Sequence, residues 1–265
     1  MRAPHQLLAT AIVTVTLAGV ASPIAAGEIA GDQRRSGYDL MSHETQAMQD
    51  DDASNPGMLS VLDGDALWHL KAGMADKACA DCHGEASTSM KGIAARYPAF
   101  DVEHGRALDL TQRINLCRSE RQNATPLPYE SKELLALSAY VARQSRGLPI
   151  TDPATDERLR AAIDAGRQTF NRRQGQLNLA CAQCHDDNWD KQLAGNSVTQ
   201  GQVTGYPLYR LEWQGIGSLQ RRMRNCMIGM RAQPFDYGAP EFVDLELFMK
   251  WRSRGLRIET PAVRP

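Results

Sequence analysis

Two short strings, Ala78-Cys79-Ala80-Asp81-Cys82-His83 and Ala180-Cys181-Ala182-Gln183-Cys184-His185, constrain this chain more than anything else in it. They use four of its six cysteines and repeat one pattern, C-x-x-C-H. Superposing them exposes an internal duplication. Gly64 and Gly166 each stand 15 residues before the first cysteine of their string, Trp68 and Phe170 stand 11 before it, and Gly73 and Gly175 stand 6 before it. Downstream, Tyr97-Pro98 begins 20 residues ahead of Cys117, Tyr206-Pro207 begins 20 ahead of Cys226, and Ser145-Arg146-Gly147-Leu148 recurs as Ser253-Arg254-Gly255-Leu256. Each copy therefore holds one C-x-x-C-H and one later single cysteine.

The copies are read as residues 57–150 and 151–265, separated by Leu148-Pro149-Ile150-Thr151-Asp152-Pro153, whose prolines discourage a continuous helix. Residues 27–56, acidic around Asp50, Asp51 and Asp52, are expected as an extended arm lying on a neighbour. Met1 and Arg2, the apolar run from Leu7 to Val20 and the small-residue exit Ile24-Ala25-Ala26 predict a signal peptide over 1–26. No later segment is apolar for long enough to span a bilayer, so a periplasmic mature chain without a membrane span is expected.

Composition excludes two broad classes. With 42% hydrophobic residues, 23% charged and a net charge of −1, the chain is neither a disordered tail nor a polybasic nucleic-acid binder. Its aromatic share is only 6%, low for a core filled by side chains alone. Leu134, Leu137, Tyr140 and Val141 recur at three and four, as do Leu245, Phe248 and Met249 in the other copy, and both segments read as amphipathic helices. The expected fold is mainly α, with long loops wrapped around a cofactor that replaces missing core.

That cofactor follows from the strings. In C-x-x-C-H the two thiols form thioethers with a porphyrin and the adjacent histidine ligates its iron, which assigns Cys79, Cys82 and His83 to one haem c and Cys181, Cys184 and His185 to another. A zinc or redox C-x-x-C is the competing reading; export, the following histidine and the matched upstream pattern weigh against it. The sixth ligand is read as cysteine twice, Cys117 and Cys226, because both leftover cysteines occupy equivalent positions. A thiolate lowers the potential and suits chemistry at sulfur better than electron carriage. Three alternatives remain open here: a Cys117 to Cys226 disulfide, two inert core thiols, or ligation of the second haem by Met223, Met227 or Met230. His104 is a further candidate at the first haem.

Around Cys226 the chain reads Gln220-Arg221-Arg222-Met223-Arg224-Asn225-Cys226-Met227-Ile228-Gly229-Met230-Arg231. On a helix opening near Ser218, Arg222 sits one turn before Cys226, where its guanidinium favours an anionic sulfur and binds a small oxyanion. Arg221 and Arg224 read as propionate partners or as solvent-facing. Arg113 holds the place equivalent to Arg222 before Cys117.

The run from Arg222 to Pro234, together with both C-x-x-C-H strings, resembles the SoxA family, the larger cytochrome subunit of the SoxAX complex in bacterial thiosulfate oxidation. The resemblance spans essentially the whole mature chain, and because Cys79-Ala80-Asp81-Cys82-His83 is retained it is to the dihaem members. It implies two cytochrome c-like domains, two covalently bound haem c groups and His/Cys ligation of both irons. It further implies that Cys226 is a persulfidated catalytic ligand, Arg222 the substrate-binding arginine, Cys117 a purely structural distal ligand, and His83 and His185 the proximal ligands. The implied reaction is oxidative conjugation of thiosulfate to a cysteine of a SoxYZ-type carrier, with electrons leaving through a SoxX-type small cytochrome. A dihaem electron carrier and a thiosulfate dehydrogenase making tetrathionate are the alternatives. The acidic arm and a cleft open to a protein-borne cysteine favour a heterodimer, an expectation that purification of a stable, fully active monomer would overturn.

Overall fold

A computed structural model describes residues 29–265, and the expected signal peptide at 1–26 lies outside the described residues. After turns of 3-10 helix at Gly31–Gln33 and Gly37–Leu40 comes α1 (His43–Asp50). The first copy then runs α2 (Gly57–His69), α3 (Cys79–His83), α4 (Ala86–Ser89), α5 (Ile93–Arg96), the hairpin of β1 (Ala99–Asp101) and β2 (Arg106–Leu108), α6 (Leu110–Arg121) and α7 (Lys132–Arg143). The second runs α8 (Arg160–Asn171), α9 (Cys181–His185), β3 (Gln192–Leu193), β4 (Asn196–Ser197), β5 (Leu208–Arg210), β6 (Gly215–Gly217), α10 (Leu219–Gly229) and α11 (Pro240–Arg252), and the chain closes on β7 (Val263–Arg264). The architecture is mostly helical and built twice, as expected. Among the described residues no helix is long and apolar enough to cross a membrane.

Local chemistry sets the helix starts. Asp109 caps α6 by accepting from the Gln112 backbone at 2.6 Å while the Gln112 side chain accepts from the Asp109 backbone, a reciprocal cap that satisfies two otherwise free donors. Ser218 caps α10 through the Arg221 backbone at 3.1 Å, at the position the sequence indicated. In each copy the first helix packs across the last, α2 on α7 and α8 on α11. The matched glycines lie at those crossings. A Cβ on Gly64 would run into the Ala136 carbonyl and one on Gly166 into the Asp244 carbonyl, so the backbones meet where no side chain fits. Below the second crossing Ile163, Phe170, Phe242, Leu245 and Phe248 form a buried core, each fully buried large side chain contributing about 1.5–3 kcal/mol.

The strands were not anticipated, because elements of two or three residues are too short to show alternation. The hairpins of the two copies share a register: Asp101 pairs with Arg106 and Ala99 with Leu108, as Arg210 pairs with Gly215 and Leu208 with Gly217. In the second copy β7 adds a parallel third strand, with Tyr209 opposite Val263.

The recurrent Ser-Arg-Gly-Leu segments pair with one another. Gly147 donates to the Ile258 carbonyl at 2.8 Å, Ile150 to Leu256 at 2.8 Å, Gly255 to Ile150 at 2.9 Å and Ile258 to Leu148 at 2.9 Å. A buried polar cluster adds to this seam. Asp109 accepts from the Tyr129 hydroxyl at 3.1 Å and from the Gln220 amide at 2.9 Å, and the same amide donates to Glu246 at 3.0 Å. A cavity of about 70 Å³ lies beside it, lined in part by Glu246 and Lys250.

Residues 29–56 depart from the arm expected to lie on a neighbour, because they fold back on their own chain. Asn55 donates to the Pro261 carbonyl at 2.9 Å, Gln49 accepts from the Val263 backbone at 3.0 Å, and Asp52 is held by Arg143 and Arg146, each at 2.7 Å. The Asp52 carboxylate is thus answered within the chain.

Two stability measurements test this arrangement. Gly166→Ala should lower unfolding stability by about 1–3 kcal/mol, read by denaturant titration, because the added methyl meets backbone that cannot yield. Burial raises the Glu246 carboxyl from 4.5 to about 8, so the folded chain keeps a proton that the unfolded chain releases above about pH 4.5. Stability should therefore fall as pH rises from 5 to 8, and Glu246→Gln should remove at least about 1 kcal/mol of that fall.

Candidate functional site

Helices α3 and α9 each place two cysteines at i and i+3 with a histidine at i+4, on one face of a short helix. All six cysteines are free thiols, so the Cys117 to Cys226 disulfide does not form. The second copy is the more fully organised. His185 Nδ1 donates to the Thr199 carbonyl at 2.7 Å, which fixes the ring and leaves Nε2 as its ligating nitrogen. Gly201, at φ +71°, passes so close that a Cβ there would lie 3.2 Å from the ring. Next to His185, Asp186 is paired at 2.6 Å with Arg252 of α11, whose guanidinium lies 4.6 Å over the Phe170 ring.

Opposed to this frame, α10 brings Cys226 close to the His185 side chain. Two thiols at helical spacing, an anchored histidine with one nitrogen free and a further cysteine in reach of that ring fit a haem c held by Cys181 and Cys184, with His185 and Cys226 as iron ligands.

The two single cysteines differ electrostatically. Burial would raise the Cys226 thiol, but the neighbouring His185 side chain, then Arg222 and then Arg210, bring it below the ordinary thiol value. Burial raises Cys117 and prevails there over Arg113 and Arg121. Cys181 is pushed up to about 12 by burial. The sulfur best stabilised as an anion is therefore the one on α10.

Other residues singled out in the sequence find defined places. Arg222 lies half-buried one turn before Cys226, with Cys226, Tyr206 and Glu212 as its electrostatic neighbours. Met223, Met227 and Met230 are 6%, 3% and 7% exposed and pack into the apolar core of the second copy. Arg221 stacks 4.3 Å over Trp213 and faces Glu130, while Arg224 donates to the Phe235 carbonyl and lies 4.6 Å over Tyr237. Both are thus engaged with their own chain rather than with water.

In the first copy Cys117 stands beside Cys79 and Cys82. His83 is exposed, 5.7 Å from the Trp68 ring. Arg113 is tied to Asp101 at 2.8 Å, and His104 spends both ring nitrogens on Asp101 at 2.8 Å and Glu120 at 2.9 Å, so His104 is a surface bridge and not a ligand. Sequence reasoning missed Thr199, Gly201, Tyr206 and Arg210. For Arg210 a signal existed, since Asp101 and Arg210 each stand 16 residues before their single cysteine.

Comparison with known proteins places this geometry. A family described as SoxA/TsdA, cytochrome c domain, matches residues 63–150 and 165–258, the two copies themselves, and a cytochrome c domain implies covalently attached haem c. The chain is 37% identical over 233 residues to L-cysteine S-thiosulfotransferase subunit SoxA of Pseudaminobacter salicylatoxidans, covering 88% of this chain and 82% of that protein. It is 38% identical over 233 residues to the subunit of the same name from Rhodovulum sulfidophilum, covering 88% and 81%. It superposes on a chain of the SoxXA crystal structure from P. pantotrophus with a TM-score of 0.83 at 30% identity, covering 88% of this chain and 87% of that one. With both copies inside the family's match and relatives this similar along most of its length, the chain belongs to the SoxA family of c-type cytochromes.

Proposed function

We propose that this chain performs the reaction for which its relatives are named, the oxidative conjugation of thiosulfate to a cysteine thiol of a sulfur-carrier protein. The observation that carries the reading is Cys226, the one cysteine whose surroundings favour the thiolate, held between His185 and Arg222. The names of the relatives support it, and so does the SoxXA complex to which the superposed chain belongs. In this reading the chain is periplasmic after loss of its signal peptide and carries two haem c, one on Cys79 and Cys82 and one on Cys181 and Cys184. It works with a SoxX-like small cytochrome and a SoxYZ-like carrier.

The overall change joins thiosulfate and a carrier thiol into a thiosulfonate-capped disulfide, with one S–S bond formed and one proton and two electrons released. Haem c, when bound, supplies the route by which those electrons leave. Cys226 presents the reacting sulfur, as a persulfide, and Arg222 meets the sulfonate oxygens in forked geometry and lessens their repulsion from the sulfur. The Thr199 carbonyl keeps the His185 ring in one tautomer and orientation. In the first copy Cys117 would help hold the haem and take no substrate, its neighbouring Arg113 being neutralised by Asp101.

The test is the co-purified complex, wild type against Cys226→Ala, incubated with thiosulfate, an electron acceptor and a cysteine-bearing carrier. The expected outcome is two covalent haems in both proteins, a thiosulfate adduct on the carrier mass for wild type, and none for the variant. Equal adducts from both would make Cys226 at most a ligand, and no adduct from either would make the chain an electron carrier. Tetrathionate formed without any carrier protein would make it a thiosulfate dehydrogenase.

A further inference from the structure

The two copies share a hairpin of identical length and register, and its first strand ends on opposite charges: Asp101 on β1 and Arg210 on β5. Each residue stands 16 positions before its single cysteine and 12 before its arginine, Arg113 or Arg222. In the first copy the acid consumes the arginine, Asp101 to Arg113 at 2.8 Å. In the second the same position holds another guanidinium.

Arg210 is only 8% exposed, and its Nε is buried with no hydrogen-bond partner. Its one carboxylate contact is Glu212, at 3.2 Å, whose side chain is 58% exposed, an easily displaced counter-charge. Arg222, Tyr206 and Cys226 are its other electrostatic neighbours. Two guanidiniums therefore act on one sulfur, and both favour its anionic form. A buried donor without an acceptor next to a second cation is costly in an empty protein and is relieved by a doubly charged oxyanion.

We propose that Arg210 is a second anion-binding residue of the Cys226 site, and that with Arg222 it forms a pair of guanidiniums selecting a divalent sulfur oxyanion, thiosulfate in the reaction proposed above. The inference rests on that reading for the identity of the anion alone. Arg210 reaches the site from the sheet and Arg222 from α10, so the two approach the sulfonate from different elements and fix its orientation toward the Cys226 sulfur. In the first copy Asp101 holds the equivalent place and is paired with Arg113.

The experiment titrates thiosulfate alone into the oxidised, haem-loaded complex by calorimetry at fixed ionic strength, without carrier protein. Arg210→Gln should raise the thiosulfate Kd about tenfold to a hundredfold, the range of one charge-assisted hydrogen bond. Arg210→Lys, which keeps charge but loses the fork, should recover part of the affinity. Arg210→Asp, which copies the first repeat, should bind more weakly than Arg210→Gln. Haem content should not move. Wild-type affinity in Arg210→Gln, or no binding by wild type, overturns the inference. An unchanged Kd with altered haem content or potential also overturns it and assigns Arg210 to a haem propionate. Binding that depends on Arg210 in a complex that forms no carrier adduct upholds the anion site and removes the transferase reading instead.

Discussion

In each half of this protein the first and last helices cross with only a glycine hydrogen between one backbone and the other, at Gly64 against Ala136 and at Gly166 against Asp244. That clearance fixes the relative position of α2 and α7, and of α8 and α11, before any other packing is decided. The C-x-x-C-H helix follows the first member of each pair, and the helix bearing the single cysteine precedes the second. The crossing therefore sets where Cys226 stands relative to His185. A haem seated in such a frame completes a core that these sequences, poor in aromatic residues, leave unfilled.

On one frame the two halves have been given different electrostatics. The first copy balances its charges locally: Asp101 answers Arg113, and His104 joins Asp101 to Glu120. The second replaces that acid by Arg210 and leaves its guanidiniums facing a sulfur. The N-caps diverge in parallel, from a buried Asp109 in the first copy to Ser218 in the second, and the Asp109 charge is confined to the seam by Tyr129 and Gln220. Duplication thus leaves one frame with two different charge arrangements, set by a few side chains.

Much of this was legible in the sequence because it rests on covalent spacing. The duplication, the grouping of Cys181, Cys184 and His185 on one short helix, the helix start at Ser218 and the apolar faces of α7 and α11 follow from local patterns that the fold preserves. What was not legible depends on contacts distant in the chain. Whether Met227 or Cys226 faces the histidine is a matter of one residue's rotation on α10, which spacing alone leaves open. The Thr199 carbonyl on His185 lies 14 residues away in an irregular loop. The fate of residues 29–56 depended on partners more than 200 positions off, Pro261 and Val263, which no composition rule connects to an acidic stretch.

That last contact also bears on how the molecule is made. A chain produced from its N-terminus onward brings out Gln49 and Asn55 long before their partners at Pro261 and Val263, which follow more than 200 residues later. Until then α1 has no strand to dock on, and each C-x-x-C-H segment is already complete. An early helix of the described chain thus waits on a distant downstream strand for its docking partner.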